Sequence, residues 1–126
     1  MILNGTIRSG KGDFSYWLKK LEPLYTAKTA LKLFPGTLNV HLVSQIFPTP
    51  PNPLRLEKEE YGGAVSVSII PCRIFGRRAF ILRPDTDDGK HDDPPEAILE
   101  IVTDIKLRDA FGLSDGDVVE VEIEAK

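Results

Sequence analysis

Two small neutral oxygen-bearing side chains, Thr37 and Asn39, stand two residues apart in Pro35-Gly36-Thr37-Leu38-Asn39-Val40. On a strand that spacing puts both on one face. A hydroxyl and an amide oxygen suit a hard cation such as Mg²⁺, whose negative ligands then come mainly from a phosphorylated substrate. The same pair also reads as a solvated strand face. Near the start, Gly10-Lys11-Gly12-Asp13 forms a glycine-bracketed turn between a predicted strand and a predicted helix. There, backbone N–H groups can converge on an anion and Lys11 adds a mobile charge. It lacks P-loop spacing, Ser15 occupies the third glycine position of a dinucleotide fingerprint, and an ordinary turn capped by Asp13 is the competing reading. A phosphate cradle and an oxygen pair together point to chemistry on a nucleotide.

Further along, Glu100 interrupts the apolar run 97–102. A carboxylate in such a strand either serves a site or marks an exposed face. Ile105, Lys106, Leu107 and Arg108 open a predicted short helix just beyond it, with two cations that can face an anion. His41 shares the predicted face of Thr37 and Asn39 and reads as a neighbour or surface residue. The stretch 84–95 carries Asp85, Asp87, Asp88, Asp92 and Asp93 beside Thr86 and His91; aspartate runs between prolines read as a solvated loop. Cys72 and Trp17 read as core, and Arg77 and Arg78 as exposed turn charges.

These residues need elements to position them. Strands are predicted over 2–8, 37–43, 65–69, 97–103 and 117–124, where apolar side chains alternate or run continuously. Segments 73–75 and 79–82 flank Gly76-Arg77-Arg78 as a hairpin. Phe14, Trp17, Leu18 and Leu21 recur at helical spacing, Pro23 offsets a second helical stretch over 24–33, and 105–111 is a third. Four prolines make 47–53 a loop, and 54–63 is polar and without a clear period. The outcome is a mainly β, single domain over 1–126, with strands closing into a small barrel.

Bulk properties narrow the partners. The 126 residues carry a net charge of −3, with 41% hydrophobic and 28% charged residues. That balance argues against nucleic-acid binding by counterion release. One cysteine excludes an internal disulfide and a cysteine zinc cage. No apolar run is long enough for a bilayer and no signal peptide is read, so a cytoplasmic protein with no membrane partner, monomeric by default, is expected.

Taken in order, Gly5-x-Ile7-x-Ser9-Gly10-x-Gly12, Pro35-Gly36-Thr37-Leu38-Asn39, Ile70-Pro71-Cys72-x-Ile74, and Leu99-Glu100-Ile101-Val102 through Lys106-Leu107-Arg108 to Asp115-Gly116-Asp117-Val118 resemble the CTP-dependent riboflavin kinase family. The resemblance implies a six-stranded cradle-loop (RIFT-related) closed barrel with one or two short helices. It implies transfer of the γ-phosphoryl group of CTP to the 5′-hydroxyl of riboflavin, giving FMN and CDP. By the same resemblance Gly10, Lys11, Gly12, Asp13, Phe14 and Ser15 wrap the nucleotide, and Ile105, Lys106, Leu107 and Arg108 complete its pocket. Thr37 and Asn39 hold Mg²⁺, while Glu100, as catalytic residue, and Thr86 contact the flavin. Phe14 replaces a further family glycine, Thr103-Asp104 replaces an alanine–proline pair, and the segment before Glu100 is longer. A barrel that binds flavin or nucleotide without turnover is the alternative; a DNA-binding regulatory barrel rests only on the Asp-Gly-Asp-Val turn.

Overall fold

The computed structural model describes residues 1–10, 14–85 and 93–124. Among the described residues seven strands form: β1 (Ile2–Arg8), β2 (Leu38–Leu42), β3 (Leu54–Leu56), β4 (Val67–Ile74), β5 (Arg77–Pro84), β6 (Ile98–Val102) and β7 (Val118–Ile123). All pairings are antiparallel, and six strands close a ring in the order β4-β5-β6-β2-β1-β7, with β7 returning to β4. The seventh, β3, comes from the polar stretch that carried no periodic signal. It takes the edge of β4 at Val67–Ile69, while β7 takes Cys72 and Arg73. Pro71, which has no N–H to offer, falls in the gap between them.

Strict alternation sends one set of side chains inward. Leu3, Ile7, Leu38, Val40, Ile70, Cys72, Ile81, Leu99, Ile101, Val119 and Val121 fill the barrel. A second apolar layer lies outside it. There α1 (Phe14–Lys20) and α2 (Glu22–Thr29) lay Leu18, Leu21 and Tyr25 over Ile69, Phe80, Leu82 and Val102. Strands β4 and β5 are therefore covered on both faces, which is why 66–70 is buried throughout, Ser66 and Ser68 included. The second helix starts at Glu22, with Pro23 in its first turn, and stops at left-handed Ala30, short of the predicted Leu33. Trp17 is half-buried, packed edge-on against Tyr61, whereas Cys72 is in the barrel core.

The hairpin between β4 and β5 turns at Phe75 and Gly76, both with positive φ (53° and 73°). This is the two-residue turn that matches strand twist. Arg77 and Arg78 are consequently strand residues and not turn charges. Arg77 Nη2 donates to Asp104 Oδ1 at 2.6 Å, and Arg78 donates to the Thr29 carbonyl. The third helix, α3 (Leu107–Phe111), begins two residues later than expected and ends at left-handed Gly112. No helix among the described residues is long and apolar enough to cross a membrane.

Candidate functional site

Strand register assembles the polar row. Asn39 on β2 lies directly opposite Glu100 on β6 and opposite Arg8 on β1. Directly opposed residues share a face. Here it is the outer face, since Leu38, Val40, Leu99 and Ile101 occupy the interior. Followed the other way, the same row runs Glu100, Leu82, Ile69, and the last two lie beneath the helices. Along this row the outer surface thus changes from apolar at Leu82 to polar at Glu100.

Thr37, just before β2, donates its hydroxyl proton to Glu100 Oε2 at 3.3 Å. Asn39 is only 5% exposed, so the expected solvated strand face is absent here. Its Oδ1 has no hydrogen-bond partner among the described residues. A buried acceptor left unpaired calls for a reason, and an amide oxygen beside a hydroxyl and a carboxylate is a donor set that a hard cation accepts. Those residues fit Mg²⁺. No group of three or more His, Cys, Asp or Glu converges as a metal cage among the described residues.

Gly10 reaches the same place from the other side. A Cβ on Gly10 would overlap Asn39 Nδ2 and stand 3.0 Å from its Cγ, so the bare backbone there is what lets the chain pass over the carboxamide. A Cβ on Gly36 would meet the Phe34 ring at 3.1 Å and Ser15 Oγ at 4.0 Å, which sets the start of α1 beside Thr37.

A cleft opens between these elements, lined by Phe34, Gly36, Thr37, Thr103 and the segment Ile105, Lys106, Leu107, Arg108. Leu107 is buried and Ile105 packs on the barrel core, so the cations at 106 and 108 are anchored by the apolar residues between which they alternate. Arg108 Nη2 donates to Asp115 Oδ1 at 2.5 Å, and Ser9 Oγ donates to Asp115 Oδ2 at 2.7 Å. Asp115 therefore ties the stem of the glycine bend to α3. The Ser9 hydrogen bond, then Arg108, hold its carboxyl below the usual carboxylate range. Below this bridge the turn is fixed to β1 by Gly116 N–H to the Ile7 carbonyl and Ile7 N–H to the Asp117 carbonyl.

Three features escaped the sequence reading. His41 is 6% exposed, not a surface residue, and its Nδ1 lies 2.8 Å from Asp93 Oδ2. Asp85 takes both Nη atoms of Arg55, at 2.9 and 2.7 Å, which lowers its carboxyl. The two ends of the aspartate run are thus held by partners while their side chains stay in contact with solvent. Arg83 is buried at the opposite mouth of the barrel, donating to the Phe47 and Ile98 carbonyls. The one local signal for His41 was its place two residues from Asn39; the partners of Asp85 and Asp93 lie 30 and 52 residues away. Lys11, Gly12 and Asp13 of the glycine bend, and Thr86, Asp87, Asp88, His91 and Asp92 of the acidic run, lie outside the described residues.

Comparison with known proteins is consistent along the chain. A family model labelled CTP-dep_RFKase, described as a domain of unknown function (DUF120), matches residues 7–123. The riboflavin kinase of Methanocella arvoryzae is 34% identical over 130 residues, covering 98% of this chain and 57% of the relative. That of Pyrobaculum aerophilum is 33% identical over 138 residues (96% and 60%), and that of Archaeoglobus fulgidus 30% over 135 (96% and 54%). The chain spans little more than half the length of these curated relatives.

Proposed function

The chain belongs to the CTP-dependent riboflavin kinase family, and on that premise we propose that it moves the γ-phosphoryl group of CTP to the 5′-hydroxyl of riboflavin, giving FMN and CDP in a Mg²⁺-dependent reaction. The observation that carries this reading is the convergence of Gly10, Asn39 and Glu100, with Thr37 bonded to Glu100 and itself lining a cleft edged by Lys106 and Arg108. Phosphoryl transfer needs alignment and charge neutralisation more than covalent help, and these residues can provide both.

In this reading Thr37 and Asn39 would hold Mg²⁺, which would offset the negative charge of the phosphates. Asn39 is pre-set for that task by the close approach of Gly10. Glu100 accepts a hydrogen bond from the attacking ribityl hydroxyl and fixes its approach, with positioning ahead of any base role. Lys106 and Arg108 face the nucleotide phosphates. As the hydroxyl oxygen bonds to the γ-phosphorus, the bond to the β–γ bridging oxygen breaks and CDP leaves.

The test is incubation with riboflavin, Mg²⁺ and each of CTP, ATP, UTP and GTP in turn, with FMN separated from riboflavin. FMN formation fastest with CTP is expected. Tight flavin binding without FMN from any nucleotide would leave a binding barrel in place of a kinase.

A further inference from the structure

The polar row contains a cation with no assigned work. Arg8 ends β1 directly opposite Asn39, two residues before Gly10, on the outer face that also carries Glu100. Cross-strand neighbours of this kind have Cβ atoms roughly 5 Å apart. The Arg8 side chain is 57% exposed, and its one polar partner among the described residues is Asp93, with Nη1 3.9 Å from Oδ2. That is the outer limit of an ion pair. The same Asp93 oxygen lies 2.8 Å from buried His41 Nδ1, so the carboxylate is engaged closely by the histidine and only loosely by the guanidinium. Arg8 is thereby kept on the site side of β1, with its fork of N–H donors largely unspent.

Charge along the row gives that fork a purpose. A phosphoryl group arriving beside Asn39 would meet the Glu100 carboxylate on one flank, which repels it. A guanidinium on the opposite flank offsets that repulsion, and its planar donors match phosphate oxygens two at a time. Lys106 and Arg108 edge the cleft that Thr37 lines, and Arg108 is already paired with Asp115, so Arg8 is the cation within the row itself.

We propose that Arg8 is a phosphate-binding residue of this site, gripping the phosphoryl group as it passes to the flavin and hence the phosphate of FMN. The proposal rests on the kinase reading above and adds a recognition element to it. Flavin fluorescence quenching with riboflavin and with FMN, each in the presence of Mg²⁺, separates the two. The wild type is expected to bind FMN more tightly than riboflavin. Arg8→Gln and Arg8→Ala should weaken FMN about tenfold or more while leaving riboflavin unchanged, and Arg8→Lys should recover part of the loss. The side chain is exposed and loosely paired, so the variants should retain the wild-type melting temperature. A wild type that binds both flavins, with variants whose FMN affinity is unaltered or falls equally with riboflavin, overturns the role of Arg8 alone. A wild type that binds neither flavin overturns the underlying function as well.

Discussion

The backbone of Gly10 lies against the carboxamide of Asn39 so closely that a methyl group on Gly10 would overlap Nδ2. Gly10→Ala should therefore act through Asn39 and not through backbone strain. FMN formation should fall at least about tenfold with the fold retained by circular dichroism. In an Asn39→Ala background the same change should cost little more, because contacting residues are not additive. Full additivity would show that the two do not act on one another.

Asn39 Oδ1, which has no hydrogen-bond partner among the described residues, makes a claim on a cation. Asn39→Ala should raise the Mg²⁺ concentration needed for half-maximal activity and lower the maximal rate, and Thr37→Val should do the same more weakly. Chelation should abolish turnover of the wild type. A Mg²⁺ titration unmoved by both substitutions would remove them from the metal.

Asp115 links Ser9 to Arg108, and its carboxyl is depressed by the Ser9 hydrogen bond first and the Arg108 charge second. Asp104 and Asp85 are lowered in the same way by Arg77 and Arg55. A carboxyl with a lowered folded value contributes stability that is complete above its unfolded value, about 3.9, and is lost as pH falls through the lower folded one. Thermal stability should be flat from neutrality to about pH 5 and decline below about pH 4. Asp115→Asn should be less stable at pH 7 and show a shallower decline, read by melting temperature against pH.

Arg83 is a buried guanidinium whose ionisation burial pulls below its usual range, with Glu96 opposing. It satisfies the Phe47 carbonyl at 2.6 Å and the Ile98 carbonyl at 3.3 Å. Arg83→Met should leave both unpaired and cost about 1–3 kcal/mol for each, visible as a lower urea midpoint. An unchanged midpoint would mean that water replaces the guanidinium freely.

Cys72 sits in the barrel interior, and burial pushes its thiol up to about 12, with Glu124 adding to the shift. A maleimide at pH 7 should label it only after unfolding. Labelling in native buffer at the rate of a free thiol would show that the seam between β3 and β7 opens.

Much of the architecture was legible because it depends on local pattern. Alternation in β1 and β7, the apolar run of β6 broken only by Glu100, the glycine at the β4–β5 turn and the proline at the start of α2 each state their element within a few residues. Strand β3 was not legible, since three residues of mixed character become a strand only when β4 offers an edge. Arg77 was misread as a turn residue because φ > 0 fell on Phe75, which no propensity favours.

For the site, residue types and their spacing already determined that an oxygen pair, a glycine bend, a lone carboxylate and two cations occur in this chain, and in what order. Period-two geometry alone put Thr37 and Asn39 on one face. Only closure of the barrel decided that Asn39 stands between Glu100 and Arg8, with partners 61 residues ahead and 31 behind fixed by register. Only packing decided that the helices cover Ile69, Phe80, Leu82 and Val102 and stop short of Glu100, Asn39 and Arg8. A strand knows which of its side chains share a face, but which strand lies opposite, and what covers that face, is settled by hydrogen-bond register and by where apolar surface finds a partner.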